Sequence, residues 1–146
     1  MNILFVCTGN TCRSPMAEAI LTSKQIKTLH VRSAGIYAIP YTEMSLYAQQ
    51  VLDEANIEHH HQATQLSNEE IEWADLILTM TSTHRDSIIA NFPATEHKVS
   101  TLKEYVSTFG SIDVVDPYGG NKAIYEITFQ ELNELIERLV KKIGGN

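Results

Sequence analysis

Residues 2–15 read NILFVCTGNTCRSP, and their order decides the fold. Asn2 to Val6 is almost wholly apolar, the pattern of a strand covered on both faces and hence of a parallel sheet. The chain then enters a loop holding Cys7, Gly9, Asn10 and Arg13, and Ser14-Pro15 signals a helix. Ser14 is expected to cap a free backbone N–H, and Pro15 to take the first helical position, where its missing N–H is not needed. A turn between a strand and a helix N-terminus directs backbone N–H groups into a concavity that the helix dipole makes positive, so this loop is suited to an anion.

Working outward, the helix opened at Pro15 is expected to reach about Lys27, because apolar residues recur at helical spacing. Leu29 to Ser33 (LHVRS) alternates and ends at Ala34-Gly35, which predicts a second strand. A second helix follows Thr42, with Tyr47, Val51 and Leu52 on its inner face and an end before Asn56. Ser67-Asn68-Glu69-Glu70 matches a capping box for a short helix through Trp73, and Asp75 leads into LILTM, a third strand. Thr83 is expected to cap a helix that Pro93 stops after Phe92, and Val99 to Leu102 to form a fourth strand. From Asn121 to Ile143, the residues Ile124, Ile127, Leu132, Leu135, Ile136, Leu139, Val140 and Ile143 form a helical stripe. The alternation predicts one α/β domain spanning 1–146, a four-stranded parallel sheet with helices on both faces, three layers in a flavodoxin-like arrangement. In such sheets ligands bind beyond the carboxyl ends of the strands, where the loop lies.

The composition narrows the function classes. Cys7 and Cys12 are the only cysteines among 146 residues and share one loop, so they do not bridge distant segments, and a reducing cytoplasm is expected. A net charge of -7 argues against nucleic acid or an anionic membrane as partner, and no apolar stretch approaches the length of about 20 residues needed to span a bilayer. Consecutive side chains of His59, His60 and His61 diverge, and no Cys or carboxylate spacing supports a zinc site.

Within the loop, Cys7 stands under the positive field, where a thiolate is favoured over a thiol, and is the candidate nucleophile. Arg13 can fork onto two phosphate oxygens, Ser14 can donate to the sulfur, Gly9 allows close backbone approach, and Asn10 tolerates a left-handed turn. Phosphoryl transfer to sulfur also needs an acid for the leaving group. Asp116, in VVDPYGG, is the candidate, because Pro117 and Gly119-Gly120 fix a sharp turn before the last helix and a neighbouring anion favours the protonated carboxyl.

The loop Cys7-Thr8-Gly9-Asn10-Thr11-Cys12-Arg13-Ser14 together with Asp116-Pro117 resembles the low-molecular-weight protein tyrosine phosphatases over the whole chain. The resemblance implies a phosphocysteine on Cys7, hydrolysis with Asp116 as acid and then base, and no metal or cofactor. It further implies that Thr8, Gly9, Asn10, Thr11, Cys12 and Ser14 bind the substrate phosphate, that Asn10 holds the loop, and that His61 braces it. Tyr37, Tyr41 and Tyr118 fit either ordinary packing or the walls of a substrate cleft, and the partners are phosphorylated proteins met by a monomer. Cys7 and Cys12, curled round one anion, are candidates for a redox-sensitive disulfide, against a packing role for Cys12. Arsenate reduction is disfavoured because the second half of the chain lacks further cysteines, a sugar-transport phosphocarrier because it needs neither Arg13 nor Asp116, and a turnover-free phosphoprotein-binding module because nucleophile and acid are both intact. CTGNTCRSPMAEA with DPYGG is similar to the bacterial protein arginine phosphatases, which implies phosphoarginine as substrate and phosphotyrosine as the alternative. Thr11 is the residue on which that choice rests, since a bulkier aliphatic side chain would crowd a guanidinium and leave its N–H groups unpaired.

Overall fold

The computed structural model describes residues 1–106 and 110–144. Its elements in chain order are β1 (Asn2–Cys7), α1 (Arg13–Ser23), β2 (His30–Gly35), α2 (Leu46–Glu54), α3 (Asn68–Trp73), β3 (Leu76–Thr79), α4 (Ser82–Asn91), a 3-10 turn (Pro93–Lys98), β4 (Val99–Thr101), α5 (Leu102–Tyr105) and α6 (Lys122–Lys142). The strands form one parallel sheet in the order β2-β1-β3-β4. Alternation along β1 divides the interior. Ile3, Phe5 and Cys7 point into a core built with α1, α2, α5 and α6, whereas Leu4 and Val6 point into a smaller core with α3 and α4. Both faces are therefore covered, as the apolar run of β1 requires.

Several boundaries differ from the sequence expectation, each for a local reason. Helix α1 begins at Arg13 rather than Pro15, and the Ser14 hydroxyl turns to Cys7 and Asn10 instead of capping. It stops at Ser23, short of Lys27, because Gln25 adopts a left-handed φ of 53°. Strand β2 extends to Gly35, since β1 pairs with it up to the partners Cys7 and Gly35. Thr81, not Thr83, caps α4, accepting the His84 N–H at 3.2 Å. Leu102 starts α5 instead of ending a strand, because Thr101 and Glu104 form a capping box there. On α6, Tyr125 and Thr128 take the inward positions with Leu132, Leu135, Ile136 and Leu139, which leaves Ile124 and Ile127 exposed. Tyr47 is likewise exposed, its ring tilted against Tyr125 at 5.5 Å, while Ala48, Val51 and Leu52 face the core. The capping box at Ser67 and Glu70 forms as expected.

Gly35 sets how close β2 comes to the Cys7 loop. A Cβ there would lie 2.6 Å from the Thr8 carbonyl oxygen, 2.9 Å from the Asn10 nitrogen and 3.0 Å from the Gly9 carbonyl carbon. All three are backbone atoms of the loop, which cannot retreat as a flexible side chain can. Gly35→Ala should therefore displace the loop and destabilise the fold by about 1–3 kcal/mol, the usual cost of overpacking, read as a lower melting temperature. A parent-like melting temperature in that variant would show that the loop does not depend on this contact.

Candidate active site

The loop from Cys7 to Ser14 runs from the end of β1 to the first turn of α1, and its carbonyl groups are engaged on the outside. The Cys7, Thr8 and Thr11 oxygens accept N–H bonds from Ile36, Tyr37 and Ser45 at 3.0, 2.9 and 2.9 Å, and the Cys12 oxygen accepts one from Met16. With these carbonyls bonded to neighbouring segments, the loop N–H groups are the ones that a strand-to-helix turn offers to an anion. Glycine at position 9 leaves room inside: a Cβ there would meet the Thr11 hydroxyl at 3.7 Å.

Asn10 fixes this shape. It is fully buried, with a left-handed φ of 57°. Its amide nitrogen donates to Ser14 Oγ at 2.8 Å and to Ser33 Oγ at 2.9 Å, and its Oδ1 accepts the Thr64 N–H at 2.8 Å. Because Ser14 Oγ already accepts from Asn10, its own proton is available to Cys7 Sγ, 2.8 Å away. Ser33 in turn donates to Glu18 Oε1 at 2.5 Å.

His61 braces the loop from behind through a 2.6 Å bond to the Asn10 carbonyl. A carbonyl only accepts, so Nε2 carries the proton and Nδ1 faces Glu18 Oε1 at 3.8 Å. Burial lowers the His61 pKa and raises that of Glu18, so both shifts act against charge on the two facing groups. His59 and His60 turn to Asp53 and Glu58, so the three consecutive rings have three separate partners.

Arg13 is nearly enclosed, its side chain 4% exposed. Nη1 donates to the Val114 carbonyl at 3.0 Å, and Nη2 lies 3.5 Å from Asp116 Oδ2. The segment carrying Asp116 is pinned to the sheet by two further bonds, Val114 N–H to the Met80 oxygen at 2.8 Å and Ser82 N–H to Asp113 Oδ1 at 2.7 Å. Asp116 Oδ1 accepts the Tyr118 N–H at 3.0 Å, a turn that Gly119, at φ 82°, continues. Nucleophile, arginine and acid candidate, separated by more than a hundred residues of chain, are thus gathered at the carboxyl edge of the sheet.

Of the remaining candidates, Tyr37, Tyr41 and Tyr118 are largely exposed. Tyr37 and Tyr118 adjoin the loop and the acid through their backbone bonds to Thr8 and Asp116. Cys12 is buried with its thiol 3.4 Å from Ser45 Oγ and 3.3 Å from Tyr125 Oη, and both cysteines are free thiols. The pull of burial and of the Cys12 contact pushes the Tyr125 pKa up to about 12. Ser33, Glu18, Thr64, Val114 and His84 belong to the site although no spacing in the sequence marks them. His84 alone carried a usable signal, since it lies just past the carboxyl end of a strand.

This arrangement defines a cysteine-dependent phosphatase, and the chain belongs to the low molecular weight phosphotyrosine protein phosphatase family, whose model matches residues 2–146. Among its relatives, a protein-arginine-phosphatase of Geobacillus stearothermophilus is 48% identical over 141 residues, covering 97% of this chain and 95% of that protein. The low molecular weight protein-tyrosine-phosphatase PtpB of Staphylococcus aureus is 45% identical over 143 residues, covering 95% and 96%. A solved YwlE arginine phosphatase, a C7S mutant with a phosphorylated active site serine, superposes with a TM-score of 0.93 at 44% identity, covering 98% of this chain and 95% of that one.

The buried histidines make stability depend on pH. Burial, and then the charge of Arg13, lower the His84 pKa to about 4, against the opposing charges of Asp116 and Asp113, and burial lowers His61 as well. A histidine whose folded pKa lies below its unfolded value stabilises the fold above the unfolded pKa, and that stability is lost as pH falls. The melting temperature should therefore drop as pH is lowered from about 7 towards 4.5, and His84→Leu should flatten part of that slope. A parallel slope in parent and variant would remove His84 as the cause.

Proposed function

We propose that the protein hydrolyses phosphoarginine on proteins through a phosphocysteine on Cys7. The observation that carries the reading is the chain of contacts from Asn10 through Ser14 to the Cys7 sulfur, beneath a loop whose arginine is bonded to the segment bearing Asp116. The Cys7 thiolate attacks phosphorus in line with the leaving nitrogen. As the P–N bond breaks, Asp116 gives that nitrogen its proton, and Arg13 with the loop N–H groups holds the equatorial oxygens. Water then attacks the phosphocysteine while the Asp116 carboxylate takes its proton, and inorganic phosphate leaves with the thiolate restored. The phosphorylated active site serine of the related C7S mutant supports a covalent intermediate at this position.

Phosphoarginine is preferred over phosphotyrosine on two grounds. The Geobacillus relative is a protein-arginine-phosphatase, and Thr11 presents a small side chain whose hydroxyl stands 3.7 Å from where a Gly9 Cβ would be. Phosphotyrosine is the second reading, favoured by the tyrosine-phosphatase name of the Staphylococcus relative. Among the described residues no helix is long and apolar enough to cross a membrane. We place the protein in the cytoplasm, acting as a monomer without nucleic acid or membrane as partner, on the ground of its free thiols and its net charge of -7.

Cys7→Ser should fold and bind a phosphate analogue while losing turnover, and near-full activity would remove Cys7 as nucleophile. Asp116→Asn should slow substrates with poor leaving groups more than those with good ones, and an equal loss across a series of aryl phosphates would refute the acid assignment.

The substrate choice is tested by Thr11→Ile. Phosphoarginine turnover should fall while phosphotyrosine turnover holds or rises, shifting the ratio of kcat/KM values by about five- to a hundredfold for one unpaired donor. An unchanged ratio on phosphoarginine and phosphotyrosine peptides would leave phosphotyrosine as the better reading.

A further inference from the structure

His84 is an expensive residue for its place. It sits in the first turn of α4, 6% exposed, and its Nδ1 is buried without a hydrogen-bond partner among the described residues. If packing were its whole role, an aliphatic side chain would fill the volume without an unsatisfied nitrogen. The other ring nitrogen does have a partner: Nε2 lies 2.8 Å from Thr8 Oγ1. Thr8 follows the nucleophile directly and is exposed, whereas His84 is enclosed and close enough to Arg13 and Asp116 to feel both charges. A buried ring thus holds an exposed hydroxyl beside the catalytic cysteine. Thr8 offers the loop a threonine hydroxyl separate from that of Thr11.

We propose that Thr8 and His84 form a specificity-determining pair, in which the Thr8 hydroxyl oxygen, held by the imidazole, accepts a hydrogen bond from the guanidinium of phosphoarginine. The inference rests on the phosphoarginine reading above. It does not depend on the tautomer of His84. When Nε2–H donates to Oγ1, the oxygen keeps one outward lone pair, and when the hydroxyl donates to Nε2 it keeps two. Every nitrogen of a phosphorylated guanidinium carries only donors to its surroundings, so an acceptor fixed at the loop edge favours it, while the phenyl ring of phosphotyrosine has nothing to give that acceptor. Thr8 touches the substrate, and His84 is a positioning residue that removes the freedom of the hydroxyl.

The test compares kcat/KM on a phosphoarginine peptide and a phosphotyrosine peptide for the parent, Thr8→Val, Thr8→Ser, His84→Leu, His84→Gln and Thr8→Val with His84→Leu. Thr8→Val should lower the arginine-to-tyrosine ratio about ten- to a hundredfold, the value of one hydrogen bond to a charged group, and Thr8→Ser should restore most of it. His84→Leu should lower the ratio in the same direction while melting at or above the parent at neutral pH, a combination that a purely structural histidine would not give. His84→Gln, which still reaches Thr8, should recover part of the loss. The double variant should lose no more than Thr8→Val alone, because His84 acts through that hydroxyl. A parent-like ratio in Thr8→Val overturns the inference, even if His84→Leu is impaired or fails to fold. A parent without activity on phosphoarginine overturns the underlying reading instead, which separates the two failures.

Discussion

A single buried amide governs the site. Asn10 adopts a backbone conformation that costs a non-glycine residue about 1–2 kcal/mol, and each hydrogen bond of its side chain contributes about 0.5–1.5 kcal/mol in return. Three such bonds, to Ser14, Ser33 and Thr64, together offset a conformational cost of that size, which is how the left-handed turn is held. They also join three segments: the helix start beside Cys7, the end of β2, and the chain at Thr64. Glycine would relieve the backbone but drop all three ties. Aspartate would offer Ser14 and Ser33 an acceptor where they meet a donor now, and the proton reaching the Cys7 sulfur would lose its orientation.

The second requirement is that an acid arrive from far along the chain. The segment bearing Asp116 is irregular, and its position is set by bonds to the ends of other elements, Met80 after β3 and Ser82 at the start of α4. Arg13 then reaches across to Val114. Arg13 and Asp116, the proposed anion holder and proton donor, are consequently located by one another, while the sheet supplies the rigid edge on which both stand. Loops carry the chemistry here, and strands carry the register that makes the loops meet.

Much of this was legible in the sequence, for identifiable reasons. The apolar run of β1 declares burial on both faces, and the spacing of Cys7, Arg13 and Ser14 is demanded by a six-residue turn around an anion, so fold and loop followed from local pattern. Element ends were less legible wherever a function or a distant contact overrode propensity. Ser14 reads as a helix cap, yet its hydroxyl serves sulfur; Leu102 reads as strand, yet the capping box of Thr101 and Glu104 bends the chain into a helix. Tyr47 and Ile127 read as core because their spacing is helical, but α2 and α6 turn other residues inward. The supporting residues Ser33, Glu18 and Thr64 were invisible, since serine at a strand end or glutamate on a helix has no pattern until the fold brings it beneath Asn10.

The enclosure of Arg13 has a consequence for how the protein behaves in a tube. The guanidinium is stripped of most of its water during folding, and a single carbonyl oxygen at 3.0 Å with a carboxylate at 3.5 Å is modest compensation for a buried cation. A dianion held in the loop, as the proposed reaction requires, would complete that compensation and would bind the folded chain in preference to the unfolded one. Inorganic phosphate is the product of the proposed reaction and also a common buffer, so by mass action it would raise the free energy of unfolding logarithmically with its concentration. On that reading a melting temperature recorded in phosphate buffer belongs to the complex, and the free protein shows its own stability only in a buffer whose anion the loop does not hold.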